Sequence, residues 1–293
     1  MDVISHVRSV MRPLTPLPTG VEPRLAPLPE TRVVIFDIYG TLLISAAGDV
    51  RNEDSTTGIV AMERALHEMG HDLAPSEAAE WVAVLDRLIR EQRERDQQNG
   101  IPHPEVEIRE IWSGLFAERE LDWNASRVEE LALRFECHSN PCWEMPGAGE
   151  VVRKLAGTDL ALGVLSNAQF YTEPVLQALA GIDLSGTGFD ADLCIYSFEE
   201  GAGKPSPRLF EKIRDAAGER GIAPEEVFYV GNDLVKDVLP ARHVGFRTGL
   251  FAGDLRSLRC GDLPVEEAVE KADVVLTDLH QLGEVVGSRH ENV

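Results

Sequence analysis

The hydrophobic pattern of the chain passes through three regimes. Val33-Val34-Ile35-Phe36 is an unbroken apolar run that stops at Asp37 and, after Ile38 and Tyr39, turns at Gly40-Thr41. Such a run predicts a strand buried on both faces, as in a parallel sheet, with a carboxylate at its carboxyl end. Ligands of open α/β sheets bind just outside that edge, which makes Asp37 a candidate for chemistry as well as for a turn or cap. Gly40 permits a tight exit and Thr41 adds a hydroxyl beside the carboxylate.

A loop or short hairpin is expected over Ile44–Thr57, and then the period becomes helical. Ile59, Met62, Leu66 and Met69 share one face; Trp81, Val84, Leu85 and Leu88 share another, on a helix begun at Pro75-Ser76-Glu77. Ile108, Ile111, Trp112, Leu115 and Phe116 mark a third helix, and Val128, Leu131 and Phe135 a fourth with Asn124 as its N-cap. These four helices predict an inserted bundle over residues 47–141, with Pro141 and Pro146 in the return linker.

From there strands and helices alternate. Strands are predicted at Leu160–Leu165, Leu193–Phe198, Val227–Val230, Arg247–Phe251 and Val274–Thr277. Helices are predicted at Glu173–Ala180, Ser206–Ala217 and Val235–His243. The pattern is that of an α/β fold, a doubly wound parallel sheet, built from residues 31–46 and 142–293. Residues 1–30 form a proline-rich lead whose prolines exclude a helix after about Met11.

A content of 43% hydrophobic and 27% charged residues is ordinary for a globular protein. No apolar run approaches a membrane span and no secretory leader is visible, so a cytoplasmic protein is expected. The formal net charge of −22 argues against nucleic acid and anionic membranes as partners. It also requires local positive charge, from a metal or a lysine, to hold a small anionic substrate. Four cysteines are too few for a disulfide framework. Cys137-His138 with Cys142 lacks a fourth ligand for zinc, so buried or linker thiols are expected. His67, His71, His103 and the Arg90–Arg95 run read as solvated positions, and Trp81 and Trp112 as core.

Polar residues recur at the later strand ends: Ser166-Asn167, then Lys204 before Pro205, then Asn232-Asp233 with Asp237 one helical turn on. In a parallel sheet all converge on the edge that carries Asp37. The carboxylates are hard oxygen ligands suited to Mg²⁺, and Lys204 and Ser166 suit phosphate oxygens.

These four segments, Asp37-Ile38-Tyr39-Gly40-Thr41, Ser166-Asn167, Lys204-Pro205 and Gly231-Asn232-Asp233-x3-Asp237, resemble in order the motifs of the haloacid dehalogenase superfamily. The helical insert lies where that superfamily carries its helical cap. The resemblance implies that Asp37 is a nucleophile forming a covalent intermediate, that Tyr39, Thr41, Ser166, Asn167 and Lys204 belong to the catalytic set, and that Asp37, the Tyr39 backbone carbonyl, Asp233 and Asp237 hold Mg²⁺.

The chain departs from the phosphatase pattern at two points. Tyr39 stands where phosphatases of the superfamily carry a general acid–base aspartate, and its dehalogenases carry tyrosine there. Asn232 replaces the first acid of the fourth motif. Phe210 stands where those dehalogenases tend to have a tyrosine, and only Arg51 and Arg64 offer themselves as the arginine that grips a haloacid carboxylate. The expectation is a Mg²⁺-dependent phosphatase acting on a small phosphorylated metabolite. The alternatives are a 2-haloacid dehalogenase-like hydrolase and a weakly active or non-catalytic binding relative.

Overall fold

The computed structural model describes residues 2–45, 55–121 and 123–287. The predicted start of the insert at residue 47 and the candidate Arg51 lie outside those residues.

The first strand, β1 (Val33–Phe36), is fully buried. Val34 and Phe36 pack into one apolar cluster while Val33 and Ile35 pack into another, so both faces of the strand are covered. The chain then forms β2 (Leu43–Ser45), and four helices follow: α2 (Ser55–Glu68), α3 (Pro75–Gln98), α4 (Ile108–Glu118) and α5 (Ala125–Ser139). Their apolar stripes face inward as the period predicts. Met62, Leu66, Leu85, Leu115 and Leu131 are all fully buried, and the rings of Trp112 and Phe135 meet edge to face at 5.3 Å.

The chain leaves and re-enters the core through a two-stranded antiparallel ribbon, where β2 pairs with β3 (Cys142–Glu144). The ribbon occupies the segment expected to be a plain linker; strands of three residues leave no period to read. Cys137 on α5 and Cys142 on β3 are buried thiols, and burial pushes both up, Cys137 to about 12.

The core continues through α6 (Ala148–Ala156), β4 (Ala161–Ser166), α7 (Thr172–Ala180), β5 (Phe189–Tyr196), the single turn α8 (Ser197–Glu200), α9 (Pro207–Gly218), β6 (Val227–Gly231), α10 (Leu239–His243), β7 (Arg247–Phe251) and β8 (Val274–Leu276). The helix α6 was not expected. The edge strand β5 begins four residues before its predicted start, because Asp190 and Asp192 interrupt its apolar pattern on the exposed edge. The helix predicted at Val235–His243 opens as a wide π turn over Leu234–Val238 before α10, a distortion that favours functional sites.

Six strands form one parallel sheet in the order β5-β4-β1-β6-β7-β8. The chain moves outward from β1 to β4 and β5, then returns to place β6 on the other side of β1. The direction of winding therefore changes between β1 and β6, where open α/β sheets form their binding crevice. Phe36 is in register with Val164 and Val230, so Asp37 emerges level with the ends of both neighbouring strands.

The proline-rich lead begins with a helix, α1 (Val3–Val10), capped by Asp2. Arg8 Nε donates to the Ala178 carbonyl of α7 at 2.7 Å, while His6 lies 3.7 Å from Glu68 of α2. The lead thus touches both core and insert. It then runs over the core surface, pairing Arg24 with Val275 and Leu28 N with Val285 O.

Candidate active site

Asp37 directly follows β1, with its N–H on the Val230 carbonyl at 2.9 Å and the residue only 7% exposed. Lys204 reaches it from the loop between α8 and α9, placing Nζ 2.8 Å from Asp37 Oδ1 and 2.6 Å from Asp237 Oδ1. Asn167 fixes the lysine by its backbone: the Asn167 amide accepts from Lys204 N at 2.7 Å and donates to Lys204 O at 3.3 Å. Its place is that of a positioning residue.

Asp237 is fully buried beneath this pair. Its Oδ1 accepts from Lys204 and from the Tyr229 hydroxyl at 2.9 Å, and its Oδ2 accepts from the Asp233 N–H at 2.9 Å. Gly231 makes room for it, since a Cβ there would lie 2.4 Å from the Asp237 carboxylate. Tyr229 escapes a reading of the sequence because it looks like one more core residue of β6. The only signal is that a phenol in a strand buried on both faces needs a partner.

Asp233 caps the π turn, its Oδ1 accepting from Val235 N at 2.8 Å and Lys236 N at 2.9 Å. Partial burial raises its carboxyl above the ordinary range. Thr41 is fully buried and donates to Asn232 Oδ1 at 3.2 Å. It anchors the turn after Asp37 and does not line the crevice. Gly40 turns there with φ of +89°, and a Cβ would strike the Asn232 side chain at 2.6 Å. The Asn232 amide in turn donates to the Ser257 carbonyl at 2.7 Å.

The Ser166 hydroxyl, at the end of β4, is 1% exposed; it is near enough to Asp37 to pull that carboxyl down, yet its Oγ makes no well-aligned hydrogen bond among the described residues. A buried polar group left open to a crevice suits a ligand oxygen. The Tyr39 hydroxyl lies 3.2 Å from Thr172 Oγ1. The residue is only half-buried, yet the protein crowding its phenol raises it well above the ordinary value, which keeps it protonated. For Asp37 burial dominates and pushes the carboxyl up to about 6, against the pull of Lys204. Burial would lower Lys204, but Asp237 and Asp37 beside it raise it above its usual value.

These residues open into one crevice of about 990 Å³ that extends under the inserted helices. Its core side holds Asp37, Tyr39, Ser166, Lys204 and Asp233; its insert side includes Ile89, Arg90 and Arg93 of α3 and Glu136 of α5. The Arg90–Arg95 run therefore does not face solvent throughout. A helix of 24 residues is about 36 Å long and carries its charged end over the crevice. Arg93 pairs there with Glu105 at 3.2 Å, whereas Arg64 is exposed on α2 and away from the crevice.

The α3–α4 loop joins insert to core beside the lysine, through Glu105 N on Gly201 O at 3.1 Å and Gly203 N on His103 O at 2.8 Å. Gln169 adds a two-ended contact, accepting from Ile108 N at 3.0 Å and donating to Val106 O at 2.8 Å.

Among the described residues no three His, Cys, Asp or Glu side chains gather as a metal cluster. On the core side the crevice is lined by Asp37, Tyr39 and Asp233, which can offer two carboxylates and a backbone carbonyl. The bridge between Tyr39 and Leu43 uses Ile38 O and Gly40 N and leaves the Tyr39 carbonyl out. Two hard carboxylates and a free carbonyl fit Mg²⁺ completed by water. Asp237 has both oxygens engaged already.

A family model described as haloacid dehalogenase-like hydrolase matches residues 31–245. A phosphoserine phosphatase from Thermus thermophilus is 35% identical over 179 residues, covering 55% of this chain and 67% of that protein. The chain spans 54% to 67% of the curated relatives it matches. Among solved structures, a HAD phosphatase from Thermococcus onnurineus has a TM-score of 0.51 at 22% identity, covering 88% of this chain and 99% of that one. A 2-haloacid dehalogenase from Pseudomonas syringae pv. Tomato DC3000 also has a TM-score of 0.51, at 19% identity, covering 87% and 98%. These two likenesses concern the fold.

Proposed function

The chain belongs to the haloacid dehalogenase-like hydrolases, and we propose that within them it is a Mg²⁺-dependent phosphatase acting on a small phosphorylated molecule. The observation that carries this reading over dehalogenation is a second carboxylate on the core side of the crevice, Asp233, just past the end of β6 beside the strand that leads into Asp37. Lys204 is already shared by Asp37 and Asp237, so a bound cation relieves the remaining negative charge. Halide displacement gives Asp233 no comparable work. The name of the Thermus thermophilus relative points the same way.

In this reading the Asp37 carboxylate attacks phosphorus in line, and the bond from phosphorus to the leaving oxygen breaks as the aspartyl phosphate forms. Lys204 and the open Ser166 hydroxyl hold the equatorial oxygens. The Asp37 and Asp233 carboxylates and the Tyr39 carbonyl would hold Mg²⁺, whose chemistry there would be charge neutralisation. Asp237, Tyr229 and Asn167 hold the lysine in place, and Asp237 is read as a support for Lys204 instead of a metal ligand. Tyr39 keeps its proton and does not serve as a base for water. Residues 47–141 act as the cap that covers the crevice and selects the leaving portion of the substrate.

The dehalogenase alternative draws on Asp37-x-Tyr39, together with Arg90 and Arg93 in the crevice. One preparation assayed on nitrophenyl phosphate, acetyl phosphate and 2-chloropropionate, with and without Mg²⁺, separates the two. Phosphate release that needs Mg²⁺ and is lost in Asp37→Asn is expected. Halide release without phosphate release would overturn the reading.

A further inference from the structure

The loop that follows β7 lies beyond the region of the family match, yet it lines the crevice with Ser257 and Arg259. It is stitched to the strand end that carries Asp233. Arg259 N donates to Asn232 O at 3.0 Å, Leu234 N donates to Arg259 O at 2.8 Å, and Arg259 forms a parallel bridge with Asp233. The backbone of Arg259 is therefore fixed in register with a crevice carboxylate.

The loop is held from behind as well. Asp254, 1% exposed, accepts from Leu17 N at 2.7 Å and from Ser257 Oγ at 3.2 Å. Leu255 N donates to Leu17 O at 2.9 Å, and Arg256 donates to the Thr15 carbonyl. The proline-rich lead thus braces the loop from the outside while Asn232 ties it from the inside.

The Arg259 guanidinium spends only one of its nitrogens on this loop, Nη1 donating to Arg256 O at 2.7 Å and Leu258 O at 3.0 Å. Among the described residues no carboxylate lies within 4 Å of it, and its Nε and Nη2 have no partner. An arginine held by its backbone on a crevice wall, with no ion-pair partner among the described residues in a chain of net charge −22, calls for a reason. The free Nε–Nη2 edge is a planar two-donor fork, which matches the two oxygens of a carboxylate.

We propose that Arg259 is a specificity-determining residue that binds a carboxylate on the leaving portion of the substrate, and this rests on the phosphatase reading above. The substrate class is then a phosphate ester or anhydride that also bears a carboxylate. Arg259 selects it through a backbone frame built by Asn232 on one side and the N-terminal lead on the other.

The test is a binding comparison that needs no turnover. O-phosphoserine and O-phosphoethanolamine differ by one carboxylate, and calorimetry on the Asp37→Asn protein with Mg²⁺ gives the ratio of their Kd values. That protein is expected to prefer O-phosphoserine by at least tenfold, and adding Arg259→Ala should bring the ratio to within about twofold of unity. Arg259→Gln, which can still donate to the loop carbonyls, should lose the preference equally and guards against a loop that collapses in the alanine variant. Overturning results are no preference in Asp37→Asn, no binding of either ligand, or a preference that survives both substitutions. Failure of Mg²⁺-dependent turnover of nitrophenyl phosphate would instead strike the phosphatase reading.

Discussion

Replacing Asp237 with asparagine separates two roles for this residue, metal ligand and support for Lys204. The carboxylate accepts from three buried donors: Lys204 Nζ at 2.6 Å, Tyr229 OH at 2.9 Å and Asp233 N at 2.9 Å. An asparagine has one acceptor oxygen and one donor NH₂. If its oxygen keeps Lys204 and Tyr229, its NH₂ faces the Asp233 N–H; if turned round, the NH₂ faces the lysine ammonium. Either way a buried donor loses its acceptor, at about 1–3 kcal/mol, and the bond to Lys204 loses its ionic part, roughly another 1 kcal/mol. Removing the repulsion of Asp237 on Asp37 offsets a fraction of this. The sum, about 2–4 kcal/mol, corresponds to a melting point lower by roughly 3–7 °C for a chain of this size. Circular dichroism melts in excess EDTA measure it without metal. A variant that melts within about 1 °C of wild type in EDTA yet no longer binds Mg²⁺ would refute the support role and return Asp237 to the metal ligands.

Asp233→Asn should weaken Mg²⁺ binding at least tenfold by calorimetry while leaving the EDTA melt within about 2 °C, because its Oδ1 capping role survives in asparagine; equal affinity would move the metal elsewhere. Tyr39, which holds its proton, offers no base, so wild type should turn over acetyl or nitrophenyl phosphate far faster than an alkyl phosphate, by about the 10²–10⁴-fold that acid–base help supplies. Tyr39→Asp should narrow that gap, and equal rates in wild type would show that another acid serves. Burial would raise Glu68, but hydrogen bonds from Arg134 at 2.6 Å and His138 at 2.8 Å hold it below its ordinary value. A depressed folded pKa means that this stability is present above the unfolded carboxylate pKa and fades as pH falls through the folded one. Glu68→Gln should therefore lower the melting point near pH 7 and lose its effect in acid; a pH-independent difference would contradict the ion cluster.

The parts legible in the sequence are those that repeat over several residues or sit at a strand end. Val33–Phe36 announces its strand because both faces are buried, and the four helices of the insert announce themselves through stripes such as Ile108, Ile111, Trp112 and Leu115. The polar residues at the ends of β1, β4 and β6 are legible for the same reason: a parallel sheet sends them to one edge. What the pattern hides depends on residues far apart in the chain. Whether Arg93 faces water or crevice is decided by where the far end of α3 lies relative to the core. Tyr229 and Asn167 act on Lys204, which lies 25 and 37 residues away along the chain. The spacing Gly231-Asn232-Asp233-x3-Asp237 shows two carboxylates and an amide but not which oxygens are already taken.

Asn232 illustrates how such a departure from a family pattern acquires a physical cause. A carboxylate at that position would accept from Thr41 but would turn its other oxygen toward the Ser257 carbonyl, acceptor against acceptor, in a place only 8% exposed. The amide satisfies both sides at once, taking the Thr41 hydroxyl on Oδ1 and giving its Nδ2 hydrogen to Ser257. The need for an amide follows from the loop after β7, and the position of that loop follows from its bonds to Leu17 and Thr15 of the lead. A substitution inside the motif is thus explained by two segments outside the matched region, of which the loop lines the crevice and the lead braces the loop. The loss of an acid there removes one negative charge next to Asp37 and Asp233, so the same change that fits the loop also leaves the crevice better able to admit an anion.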